Sequence, residues 1–263
     1  MTESEVLLAN REGHVLTLTI NRPDKLNSLS PEVMVRLGDT LSELAGSDDV
    51  RCVVVRGAGE RAFSAGYDIG RIPDEAAGRG GGQGNPLEYG LQAVMSFPYP
   101  VVAMIRGFAM GAGLHLAAAC DLRVAAADAV LSMPPVKLGV VYPVEGYRLF
   151  ARLLGLATAK ALFLTGRRFS AADALRMGLV HEVQPADVLE QYVGNLATEI
   201  AEENAPLAVK GAKLILNRLL AGDLSEDDTA HSRRLMAQAF ASADAREARA
   251  AFAEKRRPQF TGN

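Results

Sequence analysis

The sequence predicts an α/β fold, on three observations. Short apolar segments with the period or composition of strands fill the first half of the chain. Amphipathic helical spacing takes over in the second half. Apolar residues make up 49% of the 263 and charged residues 22%, the balance of a globular protein able to bury a sizeable core.

The elements follow in order. Val15 to Ile20 alternates, with Leu16, Leu18 and Ile20 on one face and Val15, Thr17 and Thr19 on the other, as in a half-buried strand. Ser30-Pro31 opens a helix, serine as N-cap and proline at the first helical position. Its residues Met34, Leu37, Leu41 and Leu44 share a face, and Gly46 suits the stop. Val53 to Val55 and Val101 to Ile105 are continuous apolar runs and read as buried strands. Leu122 to Ala125 and Val130 to Ser132 are shorter candidates. Ser170 and Asp173 have capping-box spacing. Leu189, Tyr192, Val193, Leu196 and Ile200 keep the spacing of an amphipathic helix, and further helices are expected from Leu207 to Leu220 and Ser225 to Ala241. The change of character divides the chain into a strand-rich core, 1–198, and a helical C-terminal region, 199–263, with no visible repeat. Arg71 to Pro86 carries five glycines, Gly78, Gly80, Gly81, Gly82 and Gly84, and reads as a surface insertion or a lid.

Thirty-one acidic residues against 28 basic ones give a formal charge of -3, which lacks the basic excess that a nucleic-acid partner would call for. Cys52 and Cys120 each lie in an apolar run and read as inert core thiols of a reducing compartment. The first five residues lack the basic-then-apolar order of a signal peptide, and no stretch has the length and apolarity of a membrane span. A cytoplasmic setting is expected.

Two glycine-bearing segments stand out. One is Ala62-Phe63-Ser64-Ala65-Gly66-Tyr67-Asp68-Ile69; the other runs from Gly107 through Gly111-Ala112-Gly113-Leu114-His115 to Cys120-Asp121. Each follows a strand, and small residues there let the backbone approach a ligand and present N–H groups. The second leads into an apolar helix, whose N-terminus favours negative charge. Packing of the backbone alone is the other reading of such glycines.

The order of Asn21-Arg22-Pro23 with Asn27 and Leu29, these two segments, Gly166 with Ala171 to Asp173, Gly178-Leu179-Val180, and the ending Ala251-Phe252-Ala253-Glu254-Lys255-Arg256 resembles the crotonase (enoyl-CoA hydratase/isomerase) superfamily. The resemblance covers nearly the whole chain. It implies a spiral of ββα units with C-terminal helices that form a homotrimer or a dimer of trimers. It implies an acyl-CoA thioester as ligand, with coenzyme A arriving as part of the substrate and no separate cofactor or metal. The backbone N–H groups of Tyr67 and Ala112 map to an oxyanion hole, and CoA contacts map to Lys25, Ala65, Phe252 and Lys255. Asp68 is expected to hold its loop by side-chain-to-backbone bonds.

The two glutamates of the family's hydratases map to His115 and Pro135, so ordinary hydration, which uses both carboxyl groups, is not expected. His115 is the candidate base, with a pKa near 6.5 and a rate rising through pH 6 to 7, or else a hydrogen-bonded structural histidine. Tyr142 and Glu145 are candidate acids, or a pocket wall and a surface residue. Leu138 to Tyr142 looks like the family's decarboxylase branch. Two functions stand side by side: an enzyme that works through an enolate, and a binder of acyl-CoA that has lost the chemistry.

Overall fold

The computed structural model describes residues 5–68 and 85–262. Of the glycine-rich segment, only Asn85 and Pro86 fall within them. The chain builds β1 (Leu7–Glu12), β2 (Val15–Ile20), α1 (Pro31–Leu44), β3 (Cys52–Gly57), β4 (Ala62–Ser64) and α2 (Pro86–Ser96). It continues through β5 (Val101–Ile105), β6 (Phe108–Met110), α3 (Ala112–Ala119), β7 (Leu122–Ala126), β8 (Val130–Ser132) and α4 (Val144–Thr165). The rest is β9 (Arg168–Ser170), α5 (Ala171–Arg176), β10 (Glu182–Gln184), α6 (Leu189–Thr198), α7 (Pro206–Ala221), α8 (Glu226–Ala241) and α9 (Ala243–Glu254).

Two sheets form. The large one has the order β1-β2-β3-β5-β7-β10 and is parallel except at β1; the small one has the order β4-β6-β8-β9 and is parallel except at β9. Each of β3-β4-α2, β5-β6-α3 and β7-β8-α4 lends one strand to each sheet and then a helix. The chain therefore spirals in ββα units, as the resemblance implied.

Local sequence explains the elements that were legible. The Ser30 hydroxyl accepts the Val33 N–H at 3.3 Å, and Val33, Met34, Leu37 and Leu41 turn inward. Ser170 and Asp173 close a capping box at the start of α5, and Ser225 with Asp228 closes another at α8. Helix α6 ends at a π-helical turn, Glu199–Glu203, beyond which α7 to α9 follow. Cys52 and Cys120 are free and buried, and burial pushes both thiols up to about 12. Among the described residues, no helix is long and apolar enough to cross a membrane.

Polar anchors tie the helical region to the large sheet. The buried Lys213 of α7 donates to the Tyr99 carbonyl at 2.8 Å and to the Asp121 carboxylate at 2.7 Å, while Asp121 also accepts the Val101 N–H at 2.7 Å. Arg51, next to the start of β3, donates to the Phe260 carbonyl at 3.3 Å, and Asp244 accepts the Thr261 and Gly262 N–H groups. The tail beyond α9 is thus moored where β3 begins.

Replacing Lys213 by Met removes one partner of a largely buried pair. We expect a loss of about 2–3 kcal/mol in urea denaturation, with Asp121 left to its single backbone donor. A loss under about 0.5 kcal/mol would mean that the pair is not what joins α7 to the sheet.

Candidate functional site

Parallel pairing of β4 with β6 and of β6 with β8 sets the segments that follow these strands side by side. The first is Ala65 to Asp68, the second Gly111 to Gly113, the third residues 133–143. The first two approach so closely that side chains cannot fit between them. Gly66 has φ +106°, and a Cβ there would lie 2.9 Å from the Met110 carbonyl oxygen; one on Gly113 would lie 2.6 Å from the Ser64 Cβ. The second is tied to the end of β8, from which the third leaves, by the Gly111 N–H, which donates to the Ser132 carbonyl at 2.9 Å.

Tyr67 sits in a parallel bridge with Leu29. The bridge uses its neighbours: the Leu29 N–H donates to the Gly66 carbonyl at 2.8 Å and the Asp68 N–H to the Leu29 carbonyl at 2.9 Å. Alternation along an extended strand directs the Tyr67 N–H away from Leu29. Ala112 is the first residue of α3, and its nitrogen lies 3.7 Å from where the Gly66 Cβ would be. The two N–H positions singled out in the sequence are therefore neighbours, the second at a helix N-terminus.

The loop from Asn21 to Leu29 braces this pair. Asn27, 1% exposed, accepts the Arg22 N–H at 3.1 Å and donates to the Ala58 and Ala62 carbonyls at 2.9 and 2.7 Å. The Asp68 carboxylate forms an ion pair with Arg22 at 3.2 Å, and Arg22 is itself held by the Ser28 carbonyl and hydroxyl. The loop that Asp68 was expected to hold runs on outside the described residues. Arg22 and Asn27, which belong to the motif by sequence, are its scaffold by their bonds.

His115 lies one turn into α3, 5% exposed, and its Nδ1 is 3.1 Å from the Tyr142 hydroxyl. The imidazole is tilted against the rings of Tyr142 and Phe150, with centroids 5.6 and 6.0 Å apart. Phe163 packs on both Tyr142 and Phe150. This aromatic enclosure corrects the expected pKa near 6.5: burial lowers His115 to about 4 and raises the Tyr142 phenol. Both are uncharged at neutral pH and share one hydrogen bond in either of two senses. When Nδ1–H donates to the Tyr142 oxygen, Nε2 carries the lone pair.

The other expected residues scatter. Pro135 opens a 3₁₀ turn, Pro135–Leu138, and is buried. Glu145 is exposed on the first turn of α4. Lys25 and Ala65 are brought together, since the Ala65 N–H donates to the carbonyl of Leu26 at 2.9 Å; Lys25 also borders a cleft of about 570 Å³ with Arg22, Ser30, Glu32 and Asp68. Phe252, 88% exposed, and Lys255, at the end of α9, belong to the segment moored where β3 begins. The glycine-bearing loops lie beyond the other end of that strand, about 3.3 Å per residue away over its length. Among the described residues, no hydrogen bond or ion pair joins either of them to Lys25 or Ala65.

Comparison with known proteins fits this architecture. The model of the enoyl-CoA hydratase/isomerase family matches residues 10–263. A probable enoyl-CoA hydratase of Mycobacterium tuberculosis is 37% identical over 257 residues, covering 98% of each chain. The short-chain-enoyl-CoA hydratase of Clostridium acetobutylicum is 34% identical over 258 residues, covering 95% of each. Among solved structures, an enoyl-CoA hydratase/carnithine racemase from Magnetospirillum magneticum superposes with TM-score 0.90 at 30% identity, over 99% of this chain and 97% of that one. The enoyl-CoA hydratase of Bacillus anthracis gives 0.89 at 32%, over 98% and 100%.

The depressed pKa of His115 carries a stability consequence. Between about 4 and 6.5 the unfolded chain binds the proton that the folded chain refuses. The contribution is therefore complete above about 6.5 and is lost as pH falls towards 4, on the order of 3 kcal/mol in all. Urea denaturation at pH 7 and pH 4.5 should show a larger acid loss for wild type than for His115→Gln. Equal losses would refute the buried neutral imidazole.

Proposed function

The chain belongs to the enoyl-CoA hydratase/isomerase family, and on that premise we propose that it is an enzyme that binds an acyl-CoA thioester and works through its enolate. The observation that carries the reading is the convergence of three loops, which sets two backbone N–H positions beside an uncharged His115–Tyr142 pair. In this reading the N–H groups of Tyr67 and Ala112 receive the thioester carbonyl oxygen. Such a donor contributes about 3 kcal/mol once negative charge develops, and the N-terminus of α3 adds to it. His115 Nε2 takes the proton next to the carbonyl, and the C–H electron pair moves onto the carbonyl oxygen as the enolate. Returning the proton at another carbon gives isomerisation. Tyr142 is the better candidate acid, because it touches His115 and keeps its proton at neutral pH, whereas Glu145 faces solvent. Hydration in the manner of two glutamates is not proposed, since Pro135 has no titratable group.

Lys25 and the exposed Ala65 are proposed to meet the CoA moiety at the cleft beside Arg22. Phe252 and Lys255 would then serve the site of a neighbouring copy in a homotrimer or dimer of trimers. The exposed apolar side chains of Leu216, Leu219, Met236 and Phe240 on α7 and α8 suit such an assembly. Sedimentation at micromolar concentration is expected to give a trimer or hexamer; a folded monomer would remove this part of the reading.

The second reading, an acyl-CoA binder without turnover, is favoured by the loss of both carboxylate positions. A panel of enoyl-, β-keto- and malonyl-type CoA thioesters separates the two. On whichever thioester turns over, His115→Gln should lower kcat by roughly 10² or more and leave KM within about two-fold. Because His115 is already neutral, the rate should be flat from about pH 5.5 to 8, without the rise through pH 6 to 7 that an ordinary imidazole would give. Undiminished turnover in His115→Gln would eliminate it as the base. Ala112→Pro, compatible with a first helical position, deletes the donor hydrogen and should cost more turnover than Ala112→Gly. Equal rates in those two variants would reject the oxyanion assignment at Ala112.

A further inference from the structure

We propose that Tyr147 is the positioning residue of the His115–Tyr142 pair, its hydroxyl holding the Tyr142 backbone so that the Tyr142 hydroxyl meets His115. The inference rests on the reading in which that pair handles the substrate's proton. Tyr142 belongs to the connection between the 3₁₀ turn and α4. At its start the Val140 N–H donates to the Pro135 carbonyl at 3.0 Å. Pro143, which follows Tyr142, has no N–H to give, and Val141 before it is 85% exposed. The Tyr142 N–H donates to the Tyr147 hydroxyl at 3.2 Å, from a side chain on the first turns of α4.

The acceptor is itself held rigidly. The Tyr147 ring packs on Phe163 with centroids 4.6 Å apart, and its N–H donates to the Pro143 carbonyl at 3.3 Å. Gly146 lets the Tyr142 ring settle against the helix. A Cβ there would lie 2.6 Å from Tyr142 Cδ1 and 3.4 Å from His115 Cε1. Tyr142 is thus fixed by its backbone at Tyr147 and by its ring over Gly146. A bond of 3.1 Å between its hydroxyl and His115 has little slack, since a shift of about half an ångström would take it out of range. Packing alone would need only the ring of Tyr147; positioning needs its oxygen.

The test compares full-length wild type, Tyr147→Phe and Tyr142→Phe. Hydrogen exchange at the Tyr142 amide and the ¹⁵N resonances of His115 are read in the free protein, and turnover on the active thioester is read separately. Tyr147→Phe keeps the ring on Phe163 and should fold and melt within a few degrees of wild type. We expect its Tyr142 amide to exchange about ten-fold faster, as for a lost neutral hydrogen bond. The His115 Nδ1 resonance should move towards that of Tyr142→Phe, and kcat should fall about ten-fold with KM little changed. Gly146→Ala, which pushes on the Tyr142 ring with the Tyr147 hydroxyl intact, should give the same His115 signature. An unaltered Tyr142 amide and unaltered His115 resonances in Tyr147→Phe would overturn the proposal, as would an unmoved His115 signature in Gly146→Ala. Resonances that move while turnover stays at the wild-type rate would uphold the positioning and sink the assignment of the proton transfer to this pair.

Discussion

Three strands of three residues each, β4, β6 and β8, hydrogen-bond in parallel, and the site follows from that pairing. Parallel neighbours end on the same edge, so the loops that leave them stand abreast. Strands this short cannot hold their register alone. Each is the continuation of a longer strand in the large sheet, β3, β5 or β7, whose own parallel order fixes where the next begins. The large sheet thereby sets the spacing of the loops. Asn27 completes the arrangement from outside, bridging the turn after β3 to the start of β4. The backbone of Gly66 can then lie against Met110 without a side chain to keep them apart.

This division explains what could be read from the sequence. Helix α1 was legible because a cap, a proline and four inward residues repeat at one period. Strand β2 was legible because one of its faces is buried and the other is not. Strand β1 was missed: beyond Leu7 its residues are exposed, so nothing alternates, and it is a strand only because β2 pairs with it across a tight turn. Strands β4 and β6 are shorter than any period and showed only as glycine-bearing segments. Helix α4 hides its start at Pro143 and is broken at Gly155, where φ is 74° and ψ 155°. The residues of the candidate site were nameable from their motifs. Their environment was not, because the rings around His115 come from α4 and the loop before it.

The lowered pKa of His115 looks at first like an argument against a base. A group of pKa about 4 is a weak acceptor at pH 7, and an aromatic enclosure penalises the imidazolium that proton transfer creates. That value describes the free protein. In the proposed reaction, the imidazolium and the enolate form together, one turn of α3 apart, in a site of low dielectric. Opposite charges so close raise the imidazole's pKa in the same step that needs it raised. The Tyr142 oxygen can accept from Nδ1–H as the charge appears, and the faces of Tyr142 and Phe150 interact favourably with a cation. A buried carboxylate at position 115 would instead bring its charge before the substrate does and would repel the enolate. In that proposed reaction the uncharged pair would reserve its electrostatics for the moment when negative charge develops at the N–H groups of Tyr67 and Ala112. That condition requires the Tyr142 hydroxyl to be in place beforehand, since a tyrosine free to swing away would leave the new imidazolium without its acceptor. On this argument, the rigidity of the short connection before α4 matters as much to the chemistry as the identity of the residue at 115.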